Sequence, residues 1–160
     1  MMRQIRLLLF TWICCTALSC GDDDDDDIVR PSDSFAGTRW QTTLIDKNPS
    51  TNPQRGPGSE ADNLYHAWLN CQMDDTFTFA NGHFSINDNG SVCDSGEDLI
   101  VEQSGQPYHY NEASKQLTIG TGDEAVTFQV YELNKDRLKI GVAVQTGTGF
   151  RYMIFIFKKK

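Results

Sequence analysis

The stretch from Cys71 to Cys93, CQMDDTFTFANGHFSINDNGSVC, constrains the fold more than any other part of the chain. Thr76-Phe77-Thr78-Phe79 alternates polar and apolar, the period of a half-buried strand. Ala80-Asn81-Gly82 follows, and Asn-Gly is the strongest short-range hairpin signal because both residues tolerate positive φ. Phe84 and Ile86 resume the alternation around Ser85, and Asp88-Asn89-Gly90 ends the second strand. The spacing predicts one β-hairpin with a cysteine at either end.

The rest of the chain reads in the same way. A strand is predicted over Trp40 to Asp46, followed by a loop over Lys47 to Ser59 that is rich in Pro, Gly, Asn and Ser. Ser59-Glu60-Ala61-Asp62 is a capping pattern for one short helix carrying Leu64, Tyr65 and Trp68. Leu99-Ile100-Val101 reads as a brief edge strand. Strands are then predicted around Tyr108/Tyr110, over Gln116 to Gly120, through Val126/Phe128/Val130, through Leu138 to Val144, and over Phe150 to Phe157, mostly joined by tight turns. No long helix separates these strands, so a parallel sheet is excluded. The expected fold is all-β, an antiparallel up-and-down meander of about eight strands with one short helix, its last strand closing on its first. An open sandwich is the alternative. Both faces of the last strand are apolar, so both need cover. The segment holding Leu64 and Trp68 is expected to cover the outer one, with a dimer or partner contact as the competing explanation.

Residues 1–19 do not belong to this fold. Arg3 and Arg6 precede a short apolar run, Leu7 to Leu18, well below the roughly 20 residues needed to cross a bilayer. They read as a signal peptide. Ala17-Leu18-Ser19-Cys20-Gly21 resembles the lipobox of bacterial lipoproteins, with Ala17 in place of the usual leucine. That resemblance implies acylation of Cys20 and a membrane contact through the lipid; the alternative is an ordinary secretory signal that leaves Cys20 as a free thiol. Residues 20–34 contain the uninterrupted run Asp22 to Asp27, whose carboxylates repel one another and stay solvated as a tether. An acidic stretch after the acylated cysteine also resembles the surface-export signal of Bacteroidota-type lipoproteins. The expected location is the cell envelope, as an outer-membrane lipoprotein; the export-signal resemblance implies exposure at the cell surface, while a plain solvated tether leaves the leaflet open. Residues 35–160 form the barrel domain.

Composition narrows the partners. Removing the leader's two arginines and the tether's six aspartates from 14 basic and 22 acidic residues leaves 12 and 16, a mild acidity with no basic stripe. Nucleic acid is therefore not an expected partner. Cys14 and Cys15 leave with the signal peptide and Cys20 carries lipid, so Cys71 and Cys93 remain as one pair in an exported chain, predicted to be a disulfide.

Little in the sequence points to catalysis. His66, His83 and His109 fall in no metal-ligating spacing, and no G-x-S-x-G, P-loop or G-x-G-x-x-G is present. Asp88, Asn89, Asp94, Glu97 and Asp98 offer oxygen ligands for calcium, but not in the spacing of an EF-hand, and turn chemistry accounts for Asp88-Asn89-Gly90. No catalytic residue, metal or cofactor is assigned. The binding signal is aromatic: Trp40, Phe77, Phe79, Phe84, Tyr108, Tyr110, Phe128 and Tyr152 are the residues expected to line a ligand site, against the plainer reading that they fill the core.

The order of features adds a family resemblance. A lipobox, a short leader and a strand opened by Gly37-Thr38-Arg39-Trp40 are followed by Cys71, Asp74-Asp75, the Phe77/Phe79 hairpin, Cys93-Asp94 and a closing TFQVYELNKDRLKI. This resembles the lipocalin-like domain of small Bacteroidota lipoproteins over roughly Phe35 to Lys158, although Tyr108 or Tyr110 stands where members carry a tryptophan. The resemblance implies a small barrel with no established catalysis. The function expected from it is binding of a small apolar or amphiphilic ligand. The alternative is a non-enzymatic module, with no internal pocket, that docks on another envelope protein or a glycan.

Overall fold

A computed structural model describes residues 35–54, 63–90, 93, 99–147 and 149–160. The described chain contains nine strands: β1 (Thr38–Thr42), β2 (Leu64–Tyr65), β3 (Thr76–Ala80), β4 (His83–Asn87), β5 (Tyr108–Asn111), β6 (Gln116–Ile119), β7 (Val126–Leu133), β8 (Arg137–Gln145) and β9 (Phe150–Lys159). Their order, β4-β3-β1-β9-β8-β7-β6-β5, is an antiparallel meander in which the last long strand pairs with the first. Trp40 pairs with Lys159 and Thr42 with Phe157 across that closure. The remaining seam, between β4 and β5, is joined at one end: Phe84 N–H donates to Gln106 O at 2.8 Å and Tyr108 N–H to Gly82 O at 2.9 Å. The result is the expected all-β barrel, nearly closed.

Local chemistry sets the strand ends. Asn81 and Gly82 sit at φ 53° and 75°, which gives the tight turn between the paired Ala80 and His83. Alternation then sends Phe77 and Phe79 to the buried face, with Phe84 opposite Phe79. β7 carries a bulge between Val130 and Glu132, so Tyr131 stands out of the ladder.

Three expectations need correction. Among the described residues there is no α-helix, only 3-10 turns at Pro49–Thr51, Asn70–Gln72, Val101–Gln103 and Gly122–Glu124. The start of the expected helix, 59–62, lies outside the described residues. Its continuation is extended instead: β2 pairs in parallel with β9, Leu64 with Met153 and Tyr65 with Ile154. β1 accompanies only the far half of β9 and leaves it after Thr43, whose N–H reaches Ile156 O at 3.1 Å, so β2 occupies the vacated edge. The expected edge strand at Leu99 to Val101 is a turn, because Ile100 anchors in the core with no accessible surface. Trp68 does not cover the outside of β9. It enters the barrel, 5.5 Å from the Phe77 ring, 5.8 Å from Phe155 and 5.6 Å from Phe157.

The outside of β9 is covered by the loop after β1. Ile154 and Ile156 are buried, and Ile156 lies opposite Lys139 on β8. Over this pair folds the segment from Asp46 to Asn52, gripped by the Lys139 ammonium.

Candidate functional site

Seven of the eight aromatic residues expected to line a ligand site do face the interior: Trp40, Phe77, Phe79, Phe84, Tyr108, Tyr110 and Phe128 are all buried in one cluster. Tyr152 is the exception. Its neighbours in the strand, Met153 and Phe155, point inward, so Tyr152 points outward and packs edge-on to Phe150 at 5.3 Å. An inward assignment of Phe150, Tyr152, Ile154 and Ile156 was equally open to the alternation, since both faces of β9 are apolar; only the cover supplied by the 46–52 segment distinguishes them.

The interior rings meet one another. Phe77 contacts Phe157 at 5.0 Å, Phe79 contacts Tyr108 at 5.1 Å, and Phe128 reaches Phe155 at 5.8 Å. Two residues outside the main strands complete the filling. Trp68 enters at the level of Phe77 and Phe155, with His66 against it at 4.4 Å and stacked on Phe155 at 4.8 Å. Phe35 enters at the level of Phe79, 4.9 Å from that ring and 4.8 Å from Tyr110. Gly37 N–H to Phe79 O at 2.7 Å and Thr38 Oγ to Phe35 O at 2.6 Å fix its entry. Aromatic pairs of this kind contribute about 0.5–1.5 kcal/mol each beyond area burial. The sequence assigns neither plug a lining role: Phe35 stands only at the start of the barrel domain, and the spacing of Leu64 and Trp68 predicts a helix.

The outer face of β7, β8 and β9 carries a second aromatic group. Tyr65, Ile154 and Gly141 stand in one cross-strand row. The bulged Tyr131 lies over Gly141, so that a β-carbon there would sit 2.8 Å from its Cε2 and 2.9 Å from Met153 O. Burial, with Tyr152 beside it, pushes the Tyr131 phenol up to about 12. Tyr131, Tyr152 and Phe150 are all half-buried and form an aromatic surface beside Ala143, the residue opposite Tyr152.

Next to this surface lies a dense polar contact. Lys139 Nζ is within 3.0 Å of five oxygens: both of Asp46, Asn48 O, Thr51 Oγ and Asn52 Oδ1. An ammonium has three protons, so some of these contacts are shared. Tyr65 OH donates to Asp46 Oδ2 at 2.8 Å and accepts from Asn52 Nδ2. Burial alone would raise the Asp46 pKa. The hydrogen bonds from Lys139, the Asn48 backbone and Tyr65, with the lysine's charge, outweigh it and hold the carboxyl below its ordinary value. Nothing in the sequence announces this clamp, because a lysine on the outward position of a strand ordinarily meets water.

Cys71 and Cys93 form a disulfide with Cα atoms 5.6 Å apart. Beside it is an acidic corner. Asp75 is 7% exposed and its Oδ1 has no partner among the described residues. Burial, then the charges of Asp88 and Asp74, push its pKa up to about 6. Asp88 and Asn89 act as turn residues: Asp88 Oδ1 accepts from Gly90 N–H at 3.1 Å, and Asn89 Nδ2 donates to Asp74 O at 2.8 Å. Asp94, Glu97 and Asp98 lie outside the described residues, as does Cys20. Among the described residues no three His, Cys, Asp or Glu side chains come together to hold a metal. His83 and His109 are exposed and distant in register from His66.

Comparison of the chain with protein-family models, with curated proteins and with solved structures returns no match.

Proposed function

We propose that this chain is a lipid-anchored lipoprotein of the cell envelope that acts as a non-enzymatic interaction module and binds with the outside of its barrel. The observation that supports this reading is the filling of the interior. Rings from β3, β7 and β9 touch one another, and Trp68 and Phe35 occupy the space that an apolar ligand would take. The outer aromatic surface of Tyr131, Phe150 and Tyr152 is the face offered to an envelope protein or glycan. The lipobox resemblance at Cys20 and the acidic tether place the module at the outer membrane in this reading, facing the cell exterior.

A photo-crosslinking residue at position 152 tests the docking face in intact cells, with the exposed position 109 on β5 as the control. A discrete adduct at 152 and none at 109 supports the reading, and the adduct's mass separates protein from glycan. Equal labelling at both positions, or none at 152, contradicts it. The anchor is tested separately: Cys20→Ala is expected to release the protein from membranes on fractionation.

The second reading is an apolar or amphiphilic ligand inside the barrel, supported by the barrel shape itself. It requires Trp68 to leave the interior.

A further inference from the structure

We propose that the outer groove between the clamped 43–47 segment and the start of β8 binds a small phosphate compound with an apolar substituent. The groove has a volume of about 450 Å³ and is lined by Thr43, Ile45, Lys47, Asp136, Arg137 and Lys158. That lies within the size range of small-molecule sites, about 300–1,000 Å³. Arg137 and Lys158 are cross-strand partners on β8 and β9, on the same outward row. Like charges placed directly opposite repel, so the pair invites an anion between them. The loop that turns back over Lys139 brings Lys47 to the same groove.

The charges are only partly answered by the protein. Glu132 Oε1 stands 3.3 Å from Arg137 Nε, and Asp136 lines the groove. Three cations against these two carboxylates leave a positive site on a chain whose net charge is −8. Among the described residues the Lys47 and Lys158 side chains form no hydrogen bond or ion pair; Lys158 is held through its backbone in the β9 ladder. Among the described residues Arg137 Nη1 has no hydrogen-bond partner, and its side chain is 28% exposed; a donor left so calls for an acceptor. A guanidinium fork flanked by two ammonium point charges suits a phosphate. Ile45, 64% exposed at the groove wall, supplies the apolar contact. Because Asp46 is fixed on Lys139, its neighbours Ile45 and Lys47 are held in place before any ligand arrives.

This inference goes beyond the outer-surface reading: the groove lies at the other end of β8 and β9 from Tyr152 and takes a ligand class of its own. Its test is titration of the mature, disulfide-intact protein with inorganic phosphate and with phenyl phosphate, followed by NMR at the Arg137 Nε–H. Saturable shifts confined to β8, the end of β9 and the 43–47 segment are expected, with phenyl phosphate about tenfold tighter. Arg137→Gln should weaken binding about tenfold or more, as expected for a lost charge-assisted contact. Lys158→Gln, a change at an exposed side chain, should weaken binding with Tm unchanged. Ile45→Ser should erase the preference for the phenyl compound. Phosphatidylglycerol vesicles, presented to Cys20→Ala so that no anchor contributes, identify the source. Co-sedimentation that depends on Lys158 places the phosphate on a lipid headgroup; phenyl phosphate binding without it places the phosphate on a soluble compound. Binding unchanged in Arg137→Gln, or no saturable binding to phosphates or vesicles, overturns the proposal. A ligand found inside the barrel would overturn only the outer-surface reading and leave the groove's phosphate signal as it is.

Discussion

Lys139 and Asp46, 93 residues apart in sequence, meet with both carboxylate oxygens 2.8 Å from a lysine nitrogen whose side chain is 1% exposed. The pair fixes the loop that covers the outside of β9. Removing one member of a buried pair typically costs about 3–5 kcal/mol because the other charge is left uncompensated. Asp46→Asn should therefore destabilise the fold by about 3 kcal/mol, measured by urea unfolding, and raise hydrogen exchange first in residues 46–52. Asp46 also ties stability to acid. Its pKa is lowered in the folded chain, so its contribution is present above the ordinary carboxylate range and is lost as pH falls below about 4.

Asp75 has the opposite sign. Its folded pKa, pushed up to about 6, exceeds the unfolded value, so the native state binds the proton more tightly. Its effect on stability is neutral below about 4, where both states are protonated. The fold then loses stability as pH rises to about 6, and the full penalty remains above it. Asp75→Asn should remove that slope and stabilise the protein at pH 7 by about 1–3 kcal/mol, the cost of ionising a carboxyl whose pKa is pushed up to about 6 by burial and by Asp88 and Asp74. Urea midpoints at pH 4 and pH 7 check this: a variant no more stable than the parent at pH 7 contradicts it.

Gly141 is needed for space rather than for backbone freedom. A β-carbon there meets the Tyr131 ring and the Met153 carbonyl, and only the ring is able to move. Gly141→Ala should cost about 1–3 kcal/mol, the range for overpacking. It should also lift Tyr131 off the sheet, seen as a downfield change in the shifts of protons beneath the ring. Crosslinking at position 152 should fall with it.

Trp68 holds the interior closed. Trp68→Ala should cost about 3–5 kcal/mol, as large-to-small changes in a core do. In the folded variant an environment-sensitive apolar dye should bind with one site, where the parent binds none. Dye binding of equal strength in both proteins would mean that Trp68 does not fill the lumen.

The strands were legible in the sequence because their signals are local. Alternation placed Phe77/Phe79, Tyr108/Tyr110 and Val126/Phe128/Val130, and Asn81-Gly82 placed the turn with its positive φ. The meander followed from the short connections, and with it the pairing of β9 with β1. What the sequence left hidden is non-local. Leu64 and Trp68 have helical spacing, but β1 leaves β9 early and the free edge captures residues 64–65 as a strand. Once that segment is extended, Trp68 is carried into the barrel. Likewise, nothing near Lys139 announces that the 46–52 segment will bring five oxygens to it. The outward direction of Tyr152 depends on the same cover, which is why alternation alone assigned it to the lumen.

Native mass spectrometry of residues 28–160, produced in an oxidising compartment, tests most directly whether binding lies outside the barrel. The account predicts a chain two protons lighter than its reduced form, with the Cys71–Cys93 disulfide intact and no apolar molecule retained in the barrel. A reproducible adduct, lost on denaturation and accompanied by a change in Trp68 fluorescence, would show an occupied lumen and contradict it.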